Sequence, residues 1–329
     1  MPRRSASPAV APARLYDHLD ILASSFRRSL AAANKSPRTI TGYLEGVTLL
    51  VAFLREHNYP LSASQIRRGH IEAFMEDQLA RWKPSTAATR YRAVRTFFKW
   101  AVSDPDIEID RSPLEGTKPP HIPEKDVPIL DELALKKLLK TCEGYKQRRS
   151  TRERVPGFDI RKFEAIRDAA IIRLIHDTGM RRQECAGLKR SDLDWENEVA
   201  RVVGKFSRPR ACPFGRKAAQ ALDRYIRYRE RHPSADLPHL WLGQRGPMTD
   251  SGIYQVVRDR AALAGLGAVW PHLLRHTWAN DMLENGAREG DVMVLAGWKS
   301  RSMLDRYGSA GKAKRARESH REHSPGDRL

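Results

Sequence analysis

Six side chains in the second half of this sequence could together do chemistry on a phosphate. Thr178-Gly179-Met180-Arg181 sets an arginine just past a glycine, and Lys205 follows in a segment with a hairpin pattern. His272 and Arg275 stand in Pro271-His272-Leu273-Leu274-Arg275-His276, and Gly297-Trp298 and Tyr307 come last. Arginine offers a planar fork of donors that fits phosphate oxygens, lysine a mobile proton donor, and tyrosine an oxygen that can attack phosphorus.

Cleaving a phosphodiester puts negative charge on the two non-bridging oxygens, and cationic side chains can compensate it, each contributing on the order of 3 kcal/mol. Arg181 and Arg275 are candidates for that role. Trp298 can donate its indole N–H to the same oxygens or pack to order the site, but it can do no acid chemistry. A free phenol titrates near pH ~10, so Tyr307 needs a group that takes its proton as it attacks. Lys205 is the candidate proton donor to the departing oxygen.

Each residue also has a plainer explanation. Arg181 could pair with Glu184, His272 could satisfy a buried carbonyl, and Trp298 and Tyr307 could be core aromatics. His272 and His276 have the spacing of zinc ligands on a helix, but the glutamate of His-Glu-x-x-His is missing and no third ligand is evident.

The elements that must position these residues read as mainly α with a small antiparallel β-sheet. Phe163, Ile166, Ala170, Leu174 and Ile175 form a helical stripe that stops at Thr178-Gly179, so Arg181 opens the next helix. Glu198–Val203 and Arg210–Pro213 read as two strands of a hairpin with Lys205 at its tip. Trp270-Pro271 starts a helix on which residues 272, 275 and 276 share a face.

Upstream, four helical patterns make an all-helical domain over residues 16–103. Ser36-Pro37 is an N-cap with proline in the first turn, and Tyr59-Pro60 ends that helix. Its fourth helix carries Arg90, Arg92, Arg95 and Lys99 on the outward face, where unpaired cations could lie against DNA phosphates. Residues 1–15 read as a flexible basic arm, 104–128 as a proline-rich linker, 129–310 as the catalytic domain and 311–329 as a basic tail. Residues 146–159 read as a charged surface loop.

Taken together, Thr-Gly-x-Arg-x-x-Glu, a hairpin lysine 24 residues past that arginine, His-x-x-Arg-His, Gly-Trp and a tyrosine nine residues past the tryptophan resemble the tyrosine recombinase, or phage integrase, family. The resemblance covers nearly the whole chain, and the helical domain looks like the family's core-binding, SAM-like domain. It implies a catalytic hexad of Arg181, Lys205, His272, Arg275, Trp298 and Tyr307, with Glu184 and His276 in support. Histidine is commoner than tryptophan at the fifth position. The resemblance further implies that His272 takes the Tyr307 proton, that a 3′-phosphotyrosyl bond forms and is reversed by a 5′-hydroxyl without ATP, and that no cofactor is needed. The implied partner is double-stranded DNA with inverted half-sites, held by a tetramer of this chain. A type IB topoisomerase and a non-catalytic DNA-binding protein are the alternative readings.

Composition agrees with a polyanionic partner. Lysine and arginine outnumber acids 59 to 40, for a formal charge of +19. Three cysteines, Cys142, Cys185 and Cys212, give neither a disulfide framework nor thiolate zinc spacing. No apolar run approaches the roughly 20 residues of a membrane span, and Met1-Pro2-Arg3-Arg4 does not start a secretory signal, so a cytoplasmic, nucleoid-associated protein is expected.

Overall fold

A computed structural model of the chain divides into two compact units, with the break between residues 124 and 125. It describes residues 17–123, 128–143, 158–204, 209–304, 316, 317 and 319–328. The arm at 1–15, nearly all of the 146–159 loop, Lys205, Tyr307 and the start of the basic tail lie outside the described residues.

The first unit is built from α1 (Leu19–Ala32), α2 (Pro37–Glu56), α3 (Arg68–Arg81) and α4 (Pro84–Ser103). Local chemistry fixes the start of α2: the Ser36 hydroxyl accepts the Thr39 amide at 3.2 Å, and Pro37 supplies a first turn that needs no N–H. Leu22, Phe26, Leu50, Leu54, Phe74, Phe97 and Phe98 then close one core, with Phe26 edge-on to Phe97 at 5.4 Å. On α3 the buried face is Ile71, Phe74 and Gln78, and Leu79 is exposed.

The proline-rich segment after α4 is not wholly an extended linker. Ile109 and Leu114 are buried in the helical core, and the Tyr91 hydroxyl bonds Thr117 Oγ1 at 2.7 Å. Isolated apolar side chains without a period carry no pattern signal, yet two of them suffice to tack the segment down.

The second unit follows as α5 (Glu132–Lys140), α6 (Ile160–Thr178), α7 (Arg182–Gly187), β1 (Leu193–Asp194), β2 (Val199–Val203), β3 (Pro209–Pro213) and α8 (Arg216–Arg229). Then come β4 (Leu242–Gly243), β5 (Gly246–Pro247), α9 (Asp250–Leu263), α10 (Pro271–Glu284), α11 (Glu289–Ala296) and α12 (Arg301–Leu304). The antiparallel hairpin pairs Val202 with Arg210 and Val203 with Pro209, and β1 extends it to three strands. β4 and β5 form a separate small ribbon. Strands of two residues are too short to show a period, so the sequence pattern misses β1, β4 and β5.

Two apolar clusters fill this unit. The larger wraps α6, with Phe163, Ile171, Leu174 and Ile175 packed against Leu222, Tyr225 and Trp241. The smaller joins α10, α11 and α12 through Trp278, Leu283, Val292, Ala296, Trp298 and Leu304. α10 contributes to both clusters, which puts Arg275 between them. Among the described residues no helix is long and apolar enough to cross a membrane.

Candidate active site

The site is assembled around the C-terminal end of α11. A helix leaves its last carbonyls without intrahelical donors, and these carry partial negative charge. Three arginines from three different elements supply the missing donors. Arg210 of β3 donates through Nη1 to the Leu295 carbonyl, Arg275 of α10 through Nη2 to the Ala296 carbonyl at 2.7 Å, and Arg181 through Nη2 to the Gly297 carbonyl at 3.2 Å.

The glycine at the end of α11 permits this convergence. Gly297 takes a left-handed φ of +64°, which turns the chain sharply into Trp298. A Cβ there would stand 3.3 Å from Arg210 Cδ and 3.6 Å from Arg181 Nη1. Trp298 is then buried, with the Arg275 guanidinium carbon 5.3 Å from its ring centroid.

A second glycine does the same at the end of α6. Gly179 has φ +58° and lies so close to Trp278 that a Cβ would fall 2.1 Å from the ring. Its carbonyl accepts from Arg275 Nη1, so one buried guanidinium ties the ends of α6 and α11 together. Two residues on, Arg181 is the N-cap of α7.

Glu184 holds Arg181 from below. One carboxylate oxygen accepts the Arg181 amide at 2.7 Å and the other accepts Arg181 Nη1 at 2.8 Å. Arg210 Nη2 also donates to Glu184, so this carboxylate, only 4% exposed, lies between two guanidinium groups. Burial alone would push its pKa up, but the Arg181 amide and the Arg210 and Arg181 charges outweigh that and hold it below the ordinary value.

His272 lies in the first turn of α10, with its ring centroid 6.3 Å from that of His276. The surrounding protein, then the charges of Arg275, Arg182 and Arg181, lower its pKa. A neutral imidazole near neutral pH is able to accept a proton. His276 is lowered to about 4 by burial, then by His272 and Arg275. Among the described residues no cluster of three or more His, Cys, Asp or Glu is placed to hold a metal ion.

The structure therefore brings Arg181, Glu184, Arg275 and Trp298 into one cluster, with His272 within reach of its charges. Lys205 and Tyr307 lie outside the described residues. Arg210 is the residue that motif reading passes over. Alternation in β3 puts it on the same inward side as buried Cys212, and a charged residue on an inward strand face signals a buried partner.

The candidate DNA-binding face of α4 differs from the expected row of unpaired cations. Arg90 is part-buried, donating to the buried Gln78 side chain and lying 4.7 Å over Trp82, and Arg92 donates to the Ala88 carbonyl and to Thr89. Packing against α3 and the residue that follows it engages Arg90 with no acid required, whereas Arg92 stays exposed and bonds only its own helix. Arg95 and Lys99 are exposed.

The second unit gathers an arginine cluster at two helix termini and follows a four-helix unit in the chain, and each unit matches a family model. Residues 130–314 match the phage integrase family, and residues 22–108 match the N-terminal SAM-like domain of phage integrases. The chain belongs to the phage integrase family. Among curated relatives it is 28% identical to tyrosine recombinase XerC of Pediococcus pentosaceus over 92% of this chain and 98% of that one. It is 30% identical to tyrosine recombinase XerC of Roseiflexus castenholzii over 86% of this chain and 87% of that one. The fold matches the Tn1549 transposon integrase in complex with transposon right end DNA, at TM-score 0.72 and 19% identity over 93% of this chain and 100% of that one. It also matches the XerH site-specific recombinase bound to palindromic difH substrate, at TM-score 0.70 and 18% identity over 91% and 84%.

Proposed function

We propose that this chain cleaves and rejoins double-stranded DNA through Tyr307, with Arg181 and Arg275 compensating the charge that builds on the scissile phosphate. The chain is a tyrosine-type site-specific DNA recombinase. The observation that carries the assignment of roles is the convergence of the guanidinium groups on the α11 end, next to a histidine whose pKa is lowered. Preorganised donors of this kind need no rearrangement as the phosphorus becomes five-coordinate.

In this mechanism the Tyr307 oxygen attacks phosphorus, forms the 3′-phosphotyrosyl bond and expels the 5′ oxygen. His272 takes the phenol proton, and Lys205 gives a proton to the departing oxygen. Trp298 packs beneath Arg275 and orders it. The phosphotyrosyl bond keeps the energy of the phosphodiester, so a 5′-hydroxyl from a second duplex reverses the step. Exchange between two duplexes requires paired sites, and the proposed assembly is a tetramer of this chain on inverted half-sites, in the cytoplasm and associated with the nucleoid. Exposed Arg95 and Lys99 of α4 would contact backbone phosphates there.

The test is incubation of the protein with nicked DNA carrying a candidate site, followed by denaturing electrophoresis. A covalent adduct with wild type and none with Tyr307→Phe is expected. An adduct that persists in Tyr307→Phe would reassign the nucleophile, and strand rejoining only within one duplex would favour topoisomerase-like relaxation.

A further inference from the structure

Arg210 belongs to none of the motifs that carry the proposed chemistry, and its side chain is only 11% exposed, with both terminal nitrogens engaged by the protein. It nevertheless touches three parts of the site. Nη2 bonds Glu184, Nη1 bonds the Leu295 carbonyl at the end of α11, and the Cδ and Nε atoms lie against the Gly297 turn. Glu184 in turn holds Arg181 through both its amide and its guanidinium. Arg210 stands on β3, five residues past Lys205 and paired across the hairpin with Val202.

We propose that Arg210 is a positioning residue for DNA cleavage, acting through Glu184 to aim Arg181 at the scissile phosphate. A guanidinium suits this place because its rigid planar fork presents one donor to a carboxylate and another to a carbonyl in fixed geometry, which the compact ammonium of lysine lacks. Without Arg210, Glu184 keeps only Arg181 as a cationic partner, and the Arg181 guanidinium is held by the Gly297 carbonyl and a carboxylate no longer fixed from its other side. Displacement of a positioned group by about 1 Å costs up to about 100-fold in rate.

The inference rests on the proposed tyrosine chemistry, and a mutant cycle on covalent adduct formation separates the two. Wild type, Arg210→Met, Glu184→Gln and the double variant are compared for adduct formation at saturating nicked DNA, for half-saturating DNA concentration and for melting temperature. Arg210→Met is expected to form adduct about 10- to 100-fold more slowly, with the half-saturating concentration changed less than about twofold, because other phosphate contacts dominate affinity. In the Glu184→Gln background the same change is expected to cost no more than about twofold, since the route to Arg181 is already broken. Arg210→Lys, which keeps the charge and the fold, is expected to recover part of the rate. Equal losses from Arg210→Met in both backgrounds, or a rate that follows melting temperature alone, would overturn the positioning role. Absence of any adduct with wild type would instead sink the tyrosine chemistry.

Discussion

Two of the places where the second unit buries arginines use the same guanidinium chemistry to opposite ends. Arg229 of α8 is fully buried, and it donates to the carbonyls of Leu240 at 3.1 Å, Ala235 at 2.9 Å, and Leu237 and His239 at 2.7 Å. All of its nitrogens face the chain's own backbone, and burial lowers its pKa. It is a clamp for the loop between α8 and β4. At the end of α11 each of three arginines bonds one carbonyl of a single helix terminus, and Arg181 keeps 34% of its side chain exposed. Sharing the carbonyls among several cations holds each cation in place while leaving the Arg181 guanidinium open to an anion.

The sharpest way to break this comparison is to remove both kinds of arginine. Arg229→Met removes the donor to the Ala235, Leu237 and His239 carbonyls, while Leu240 keeps the Tyr225 hydroxyl, and is expected to lower stability by about 3 to 5 kcal/mol in urea unfolding. Adduct formation per folded molecule should stay within about twofold of wild type. A stability loss under about 1 kcal/mol would show that the loop repacks and that the clamp reading is wrong. Arg181→Ala is expected to do the reverse, slowing adduct formation about 10²- to 10³-fold, roughly 3 to 4 kcal/mol of barrier, with stability within about 1 kcal/mol of wild type. Arg275→Lys should fall between them. Its side chain is buried and bonds two carbonyls, so adduct formation should slow about 100-fold while stability drops by about 1 to 2 kcal/mol.

That contrast also explains what could be read from the sequence. Arg181 and Arg275 were legible because each follows a local rule: a glycine that ends α6, and a proline that starts α10. The four helices of the first unit were legible from their apolar period, down to Ser36 as the cap of α2. Arg229 was not, since it sits amid the basic run Arg224 to Arg231, where nothing local says which cation turns inward. Arg210 carried a weak signal in strand alternation, and Arg90 carried a misleading one, because its partners Gln78 and Trp82 lie on a neighbouring turn of chain that the period of α4 cannot reveal. Contacts distant in sequence decide which charges are engaged, and a period reports only one element at a time.

Gly179→Ala tests the geometry behind the site without touching a charge. The new Cβ would lie 2.1 Å from Trp278 in a backbone with φ +58°, so either the α6 terminus or the α10 ring must move. A loss of about 2 kcal/mol in thermal unfolding is expected, together with slower adduct formation, because the Gly179 carbonyl anchors Arg275. Unchanged unfolding with unchanged rate would mean that the Arg275 anchorage is not needed to hold the site.

The smallest expected effect asks how far the site's cations reach. His276 has its pKa lowered to about 4, with burial first, then His272 and Arg275, as the causes. In the unfolded chain it returns to about 6.5. Above pH 6.5 the imidazole is neutral in both states and contributes no difference. As pH falls from about 6.5 towards 4, the unfolded chain takes up a proton that the folded chain refuses, so stability declines across that window and levels off below it. His272, also lowered, acts in the same direction. Asp281, raised to about 6 by burial, acts in the opposite direction, since the folded chain protonates it first and gains stability as pH falls through that value. The test is therefore a difference, His276→Asn against wild type, with unfolding free energy followed from pH 7.5 to 4.5. The wild type should lose on the order of 1 to 2 kcal/mol more than the variant over that range. Parallel curves would mean that His276 titrates alike in both states and that the Arg275 charge does not reach it.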